Sequence, residues 1–487
     1  MINRAPTAFV RFGIDRLGRS DKPALVTGTV VITVLIGVVA GLLAARHRIV
    51  GDAFFVAFAV LGMIAALDIT GSSAGAVVFG ALFAAGAGIA SLRTMLRRAT
   101  QPDPAVRSKP PARAPQTRRA APTPRTKTAA APTSTRRRFL VLTGGLAAAA
   151  VVGGDIGRAL LDRVSVAAAR AKVLLPHPRR PAPPLPAGSS LAVEGISPLV
   201  TPNDSFYRID TALSVPQVDP DHWTLKVLGR VDHPFELTFA EVLAMPMVEE
   251  YVTLQCVSNE VGGPLVGNAK WLGVPLPMLL DRAGIQKGAD QIVGRSVDDF
   301  TAGCPTSAML DGRTALLAVG MNGEPLPTKH GFPARLIVAG LYGYVSATKW
   351  VTQLEATTFS DYDAYWVPRG WAQQGPIKTE SRIDVPRGNG TLAAGTIAIA
   401  GVAWAPTRGI KAVEVQIDND PWQHAALATA INGDTWRQWS YQWPAIQGTH
   451  QIRVRATDGT GAVQSADEEP PPPNGASGYH TIVVQVA

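Results

Sequence analysis

Between Lys22 and Arg46 the chain carries no charged side chain, and Ala24–Ala45 is an unbroken apolar run rich in Gly and Ala. A bilayer core needs about 20 such residues in one helix, so this segment alone points the N-terminal part of the chain towards lipid. Ala53–Leu67 and Ala74–Leu92 repeat the pattern, separated by Arg46-His47-Arg48 and Asp68–Ser73. Buried helices of a soluble domain would carry more charge, and residues 1–92 are expected to form a three-helix membrane anchor. The second run reaches spanning length when Gly51 to Ile69 enters the interface. A membrane-bound b-type haem calls for two histidines on facing helices. His47 is the only histidine in the first 176 residues and sits between two runs, so no haem is expected there.

The net charge of +9 suggests a nucleic-acid partner until it is located. Residues 93–138 hold thirteen Lys or Arg against one acid, Asp103, so this stretch carries +12 and the remainder −3. The stretch is rich in Pro, Ala and Thr, and has no aromatic before Phe139 to stack on bases. It reads as a basic disordered linker drawn to anionic lipid, with no nucleic acid as partner. If the linker is cytoplasmic, three spans place the N-terminus outside, yet residues 1–22 contain Arg4, Arg11, Arg16, Arg19 and Lys22 against Asp15 and Asp21. A further span upstream of Met1 would remove that conflict with the positive-inside pattern.

After the linker, Thr135-Arg136-Arg137-Arg138-Phe139-Leu140 leads into the apolar Val141–Gly154. Paired arginines before Phe, Leu and a moderately apolar run match a twin-arginine export signal, here internal, with residues 139–156 as a signal-anchor helix. That route carries domains folded around a cofactor before export. Residues 157–190 follow as a Pro-rich spacer, Ala182–Ser190 being extended. The catalytic part is then expected on the extracytoplasmic side of a multi-pass cell-membrane protein.

Residues 191–384 have the composition of a mixed α+β domain. Trp223–Val231 alternates as a strand; Thr238–Ala244 reads as a short helix with Thr238 and Glu241 as a capping box. Tyr251–Cys256 is a β-rich run ending on a cysteine, followed by a turn-rich loop, Ser258–Gly263. Val274–Ala283 reads as a helix stopped by Gly284, and Leu336–Ala339 and Thr348–Leu354 as buried strands around a Gly340–Gly343 turn. The two cysteines, Cys256 and Cys304, exclude a disulfide framework and any four-cysteine zinc or iron–sulfur site. Residues 385–487 alternate over Gly395–Ala403, Ala412–Ile417, Trp436–Trp443 and His450–Thr457, a rhythm that suggests an immunoglobulin-like β-sandwich without a cysteine staple.

Leu254-Gln255-Cys256-Val257-Ser258-Asn259 resembles the Q-C-x-x-N segment of the sulfite oxidase family. Met321–Pro327 followed by His330-Gly331-Phe332-Pro333-Ala334-Arg335 resembles its NGxPLP…HGFPxR run, and Lys349-Trp350 its VKW strand. The resemblance implies a sulfite-oxidase-type molybdopterin domain at 191–384 and a dimerising immunoglobulin-like domain at 385–487. Cys256 would be the protein ligand to molybdenum, a role that suits a soft thiolate; Cys304 reads as structural, and a Cys256–Cys304 disulfide is the competing reading. Carried over residue by residue, His330, Arg335 and Lys349 would bind the pterin and its phosphate, Asn259 would orient the cysteine loop, and Asn203 would add a cofactor contact. Arg208, Tyr362 and Arg408 match the substrate arginines and the tyrosine of the family. Three departures stand out: Ile209-Asp210 follows Arg208 where the family has Asn-His, Asp363 follows Tyr362 in place of Lys, and Glu260-Val261-Gly262-Gly263 replaces an Arg-bearing loop. The implied activity is two-electron oxygen-atom transfer on a small oxyanion, with a separate redox partner. A sulfoxide reductase on the same fold and a non-catalytic anchored binding protein are the other readings.

Overall fold

The computed structural model describes residues 21–67, 74–99, 166–212 and 214–487. The chain divides into two compact units, Met1–Val164 and Ser165–Ala487. The twin-arginine-type segment and residues 100–138 of the linker lie outside the described residues.

The first unit contains helices α1 (Asp21–Arg46), α2 (Arg48–Leu67) and α3 (Ala74–Ala99). Thr27–Arg46 and Val78–Arg97 are long and apolar enough to cross a membrane; the apolar part of α2, Ile49–Ile64, is shorter. Where three spans were expected, two therefore meet the length requirement. Val30, Leu42, Phe79 and Phe83 are exposed, as lipid-facing side chains would be. Gly88 lies against the Phe55 ring so closely that no Cβ would fit. Helix α3 runs past Leu92 into the expected linker because Arg93 finds a partner: its guanidinium pairs with Asp52 of α2 at 2.5 Å.

The second unit opens with α4 (Ala167–Lys172) and an extended stretch. The described part of the expected spacer, residues 166–190, is docked on the domain. Arg170 donates to the carbonyls of Pro325 and Leu326, the Arg179 amide to Met247 O at 2.8 Å, and Gly188 O accepts from Thr429. Proline withholds amide hydrogens within the stretch, but the residues between the prolines still pair.

One sheet has the order β2 (Phe235–Thr238), β1 (Thr224–Gly229), β10 (Val351–Thr357), β5 (Gln291–Ser296), β6 (Thr301–Pro305). Only β1 and β10 are parallel. The other joins β3 (Val248–Gln255), β4 (Val266–Pro275), β7 (Ala315–Met321) and β8 (Glu324–Pro325), with β9 (Arg335–Val338) on the free side of β7. Helix α5 (Phe239–Ala244) has the expected capping box, Thr238 with Glu241. Helix α6 (Leu276–Ala283) ends on Gly284, whose φ of 67° lets its amide reach back to Leu280 O. It begins two residues later than expected, because Val274 and Pro275 pair with Leu317 and Leu316 of β7. The segments flanking Gly340–Gly343 are not one hairpin: β9 belongs to one sheet and β10 to the other, with α7 (Gly343–Ser346) between them.

Beyond β10 two further sheets face one another. The first runs β11 (Glu380–Val385), β13 (Gly395–Trp404), β17 (Arg437–Ala445), β16 (Ala426–Leu427). The second runs β12 (Thr391–Leu392), β19 (His480–Val486), β18 (Gly448–Asp458), β14 (Ile410–Ile417), β15 (Gln423–His424). Ile399, Trp439, Trp443, Val413, Val454 and Val484 fill the space between them, as sandwich packing requires. Val402, Trp404 and Trp436 instead belong to the core of the preceding domain, so 165–487 holds together as one unit. Strand β11 straddles the 384/385 boundary read from the sequence and pairs wholly with β13.

Candidate active site

The last four residues of β3, Val252 to Gln255, are buried, and the chain turns immediately after them at Cys256. The Cys256 amide donates to Leu265 O at 2.9 Å and the Asn259 amide to Cys256 O at 3.0 Å. Asn259 Oδ1 accepts from the Leu265 amide at 2.7 Å, closing the loop across its neck. Cys256 is free and 8% exposed. Burial raises its thiol, while the Ser258 amide and hydroxyl and the nearby Lys349 ammonium pull in the opposite direction. Those donors and that cation are what a metal-bound thiolate needs. Cys304, in β6, is also free, so no disulfide joins the two; burial pushes its thiol up to about 12.

Arg335 opens β9 and is 5% exposed. Its guanidinium lies over the Trp271 ring, 5.1 Å from the centroid, and donates to His330 O at 3.1 Å and Ala347 O at 3.4 Å. Its Nε is buried without a hydrogen-bond partner, and no carboxylate pairs with it among the described residues. Burial draws it down to about 10, opposed by the Tyr207 phenol. A buried, uncompensated cation costs several kcal/mol, and a phosphate oxygen would relieve that cost through the planar fork. The residues present thus fit an anionic pterin cofactor.

His330 is 1% exposed, stands edge-on to Phe206, and donates from Nε2 to Asn203 O at 2.9 Å. A carbonyl can only accept, so the Nε2–H tautomer is fixed and Nδ1 is left as an acceptor. The sequence cast His330 as a donor to the cofactor; the structure spends that donor on the backbone. Burial lowers the ring to about 4, so it is neutral at physiological pH. The Asn203 side chain is engaged too, accepting from Asn322 at 2.8 Å and donating to Glu324 and Met321 O. It positions the His330 turn rather than offering a free amide. A polar cleft of about 550 Å³ beside it is lined by Arg170, Asn203, Asp204, Asn322 and Glu324, and by neither Cys256 nor Arg335.

Lys349 donates to Asp210 at 2.8 Å, and the same carboxylate takes the Arg208 guanidinium at 2.7 Å. Asp210, which looked like a departure from pattern, is the group that joins these two cations. Burial draws Lys349 down to about 8 against the pull of Asp210. Trp350 beside it has φ 50°, a left-handed conformation that costs a bulky residue about 1–3 kcal/mol. Its indole donates to Thr328 O at 2.9 Å and its carbonyl accepts from Val297, and these bonds hold Lys349 towards Asp210.

Cys256, Arg335, His330, Lys349 and Arg208 therefore share one electrostatic neighbourhood. Tyr207 belongs to it and was missed. It is partly exposed, stacked on Phe206, and its phenol senses both Cys256 and Arg335. Ser258 was missed as well. Tyr207 lies in an irregular segment where no periodicity tells which way a ring points; only its place beside Phe206 hinted at burial. Tyr362 and Arg408 make their contacts elsewhere. The Tyr362 hydroxyl donates to Thr301 Oγ1 at 3.1 Å. Arg408 pairs with the buried Asp458 at 2.8 Å and donates to Ile377 O and Thr379.

Residues 212–366 match the family model of the oxidoreductase molybdopterin binding domain. Human mitochondrial sulfite oxidase is 28% identical over 302 residues, covering 52% of this chain and 55% of that protein. The chain thus spans about half the length of such curated relatives. The sulfane dehydrogenase SoxCD of Paracoccus pantotrophus superposes with a TM-score of 0.52 at 23% identity, covering 60% of this chain and 82% of that one, a likeness of fold. The uncharacterized oxidoreductase YuiH of Bacillus subtilis is 33% identical over 157 residues, which are 32% of this chain and 76% of YuiH. With that match beneath a buried cysteine loop and an uncompensated arginine, the chain belongs to the sulfite oxidase family of molybdopterin oxidoreductases.

Proposed function

We propose that this chain is a membrane-anchored, extracytoplasmic molybdenum enzyme that transfers an oxygen atom in a two-electron step, with Cys256 Sγ as the protein ligand to the metal. The observation that carries the reading is a buried, free thiol on a hydrogen-bonded turn, set in the same charged neighbourhood as a buried arginine whose Nε has no partner and which no carboxylate pairs with among the described residues. When bound, the molybdenum–pterin group supplies the redox centre and the exchangeable oxygen. The chain's residues do the rest. Arg335 would hold the cofactor's anionic end, and neutral His330 would offer its Nδ1 as a hydrogen-bond acceptor beside it. Tyr207, whose phenol is raised by burial and by Cys256, stays protonated and serves as a hydrogen-bond donor beside the sulfur. Lys349 supplies positive charge that Asp210 partly offsets.

Sulfite is the first substrate to test, and one observation favours a second reading. Arg208 is committed to Asp210 and Arg408 to Asp458. Guanidinium groups already paired exert less pull on a small dianion. A neutral sulfoxide, such as oxidised methionine, needs less of it, so sulfoxide reduction on the same fold is the alternative. Either direction calls for a separate redox partner, with a homodimer through an immunoglobulin-like sandwich and lipid around α1 and α3. Metal analysis of the purified full chain should give about one molybdenum per chain; none would leave the non-catalytic binding protein. Turnover of sulfite with an acceptor, against turnover of sulfoxide with reduced viologen, decides the direction.

A further inference from the structure

We propose that β11, the first strand of the C-terminal sandwich, is a clamp on the cysteine loop, with Glu380 and Arg382 as positioning residues for Cys256. This rests on the reading of Cys256 as the metal ligand. Gln255, directly before the cysteine, is 1% exposed. Its carboxamide oxygen accepts from Trp404 Nε1 at 2.8 Å and its Nε2 donates to Glu380 Oε1 at 2.8 Å. Glu380 and Trp404 are register partners across β11 and β13. An indole can only donate, so the amide orientation is fixed and the Glu380 oxygen must be the acceptor. The Tyr342 hydroxyl reaches the same oxygen at 3.5 Å, and the Asn259 side chain adjoins the carboxyl from the far side of the turn.

Two residues along, on the same face of the strand, Arg382 Nη1 donates to Gly263 O at 2.9 Å. Asp384 and Ser197 hold that guanidinium in place, at 2.7 and 2.8 Å. Gly262 packs against the His480 ring with no room for a Cβ, and that ring accepts from the Ile383 amide of β11 at 2.9 Å. One short strand therefore grips the loop at its beginning, through Gln255, and at its end, through Gly262 and Gly263. The torsions of a ligating cysteine follow its backbone, so the clamp sets the direction from which the sulfur meets the metal. Burial raises Glu380 to about 8, so at neutral pH the uncharged acid predominates and glutamine is its close mimic.

The test is peptide-resolved alkylation of Cys256 by iodoacetamide in the full chain, made in a host that lacks the pterin, alongside molybdenum electron paramagnetic resonance of the loaded protein. Glu380→Ala and Arg382→Ala should each raise the Cys256 rate about five- to tenfold, the worth of one lost hydrogen bond in local opening. Glu380→Gln should stay close to wild type, and the Cys304 rate should not move in any of them. The loaded alanine variants should show broadened or shifted signals. Trp404→Phe, which removes the indole donor together with part of a buried ring, serves if Glu380→Ala does not accumulate, with a rise in the Cys256 rate and none at Cys304 expected. Unchanged Cys256 rates, a parallel rise at Cys304, or Glu380→Gln behaving as Glu380→Ala would each overturn the clamp. Alkylation of the metal-free chain does not depend on the metal. The expected rates in a protein that takes up no molybdenum would therefore uphold the clamp and remove only the metal reading.

Discussion

The cysteine loop after β3 and the hairpin strand β6 each bury one free thiol, and they teach different lessons. Around Cys256 lie the Ser258 donors, Lys349, Tyr207 and, through Gln255, a carboxyl from another sheet. Around Cys304 the charges are Arg313 and Asp311, paired with one another at 2.6 Å and pulling on the thiol in opposite directions, so burial dominates it. Burial is shared; what separates a ligand from a core residue is whether the surroundings stabilise a negative sulfur.

The widest break in this comparison comes from serine at each position. Cys256→Ser should lower turnover roughly a thousandfold or more and release the molybdenum, because an alcohol at that position stays protonated. Cys304→Ser should keep kcat within about twofold and cost about 1–3 kcal/mol in denaturant unfolding, for a buried hydroxyl. Equal loss of turnover in both would place the two thiols in one role.

Two groups around Cys256 titrate in opposite senses. His330, neutral in the fold, must take up a proton as the chain unfolds in acid. Its folded value lies below the unfolded one, so the stability it contributes is present above about 6.5 and is lost as pH falls towards about 4. Melting curves of the metal-free chain across that window should lose up to about 3 kcal/mol, and His330→Gln should flatten that slope. Glu380 works in the opposite sense: its folded value is raised, so its contribution declines as pH climbs from about 4.5 towards about 8.

Arg335 sharpens the contrast between a site and a core. Arg335→Met should abolish cofactor retention, yet stabilise the metal-free chain by about 1–3 kcal/mol, since a buried charge without a counter-ion is removed. Denaturant unfolding and pterin content measured on the same preparation check both signs. The smallest effect is expected at Ser258. Ser258→Ala should slow alkylation of Cys256 in the metal-free chain about three- to tenfold at fixed pH by removing a thiolate donor, without moving the Cys304 rate.

Local order along the chain was open to reading from composition and spacing alone. The uncharged run before Arg46, the Thr238–Glu241 capping box, the Gly284 stop and the strand ending at Cys256 each depend on neighbours a few residues apart, and each is present in the fold. The alternating strands of the last hundred residues belong here too, since a period of two betrays a half-buried sheet wherever it is placed. Tertiary structure decided the rest. Alternation tells that one face of a strand is buried but not which sheet claims it, so β9 and β10 parted company and the spacer proved to be docked. Ion pairs and hydrogen bonds between distant residues set what Arg408, Asn203 and Lys349 can still offer, and Asp458, Asn322 and Asp210 had already engaged them. The Glu380–Gln255 contact joins positions 125 apart; no spacing rule reaches that far, and only the fold brings such groups within a bond length of use.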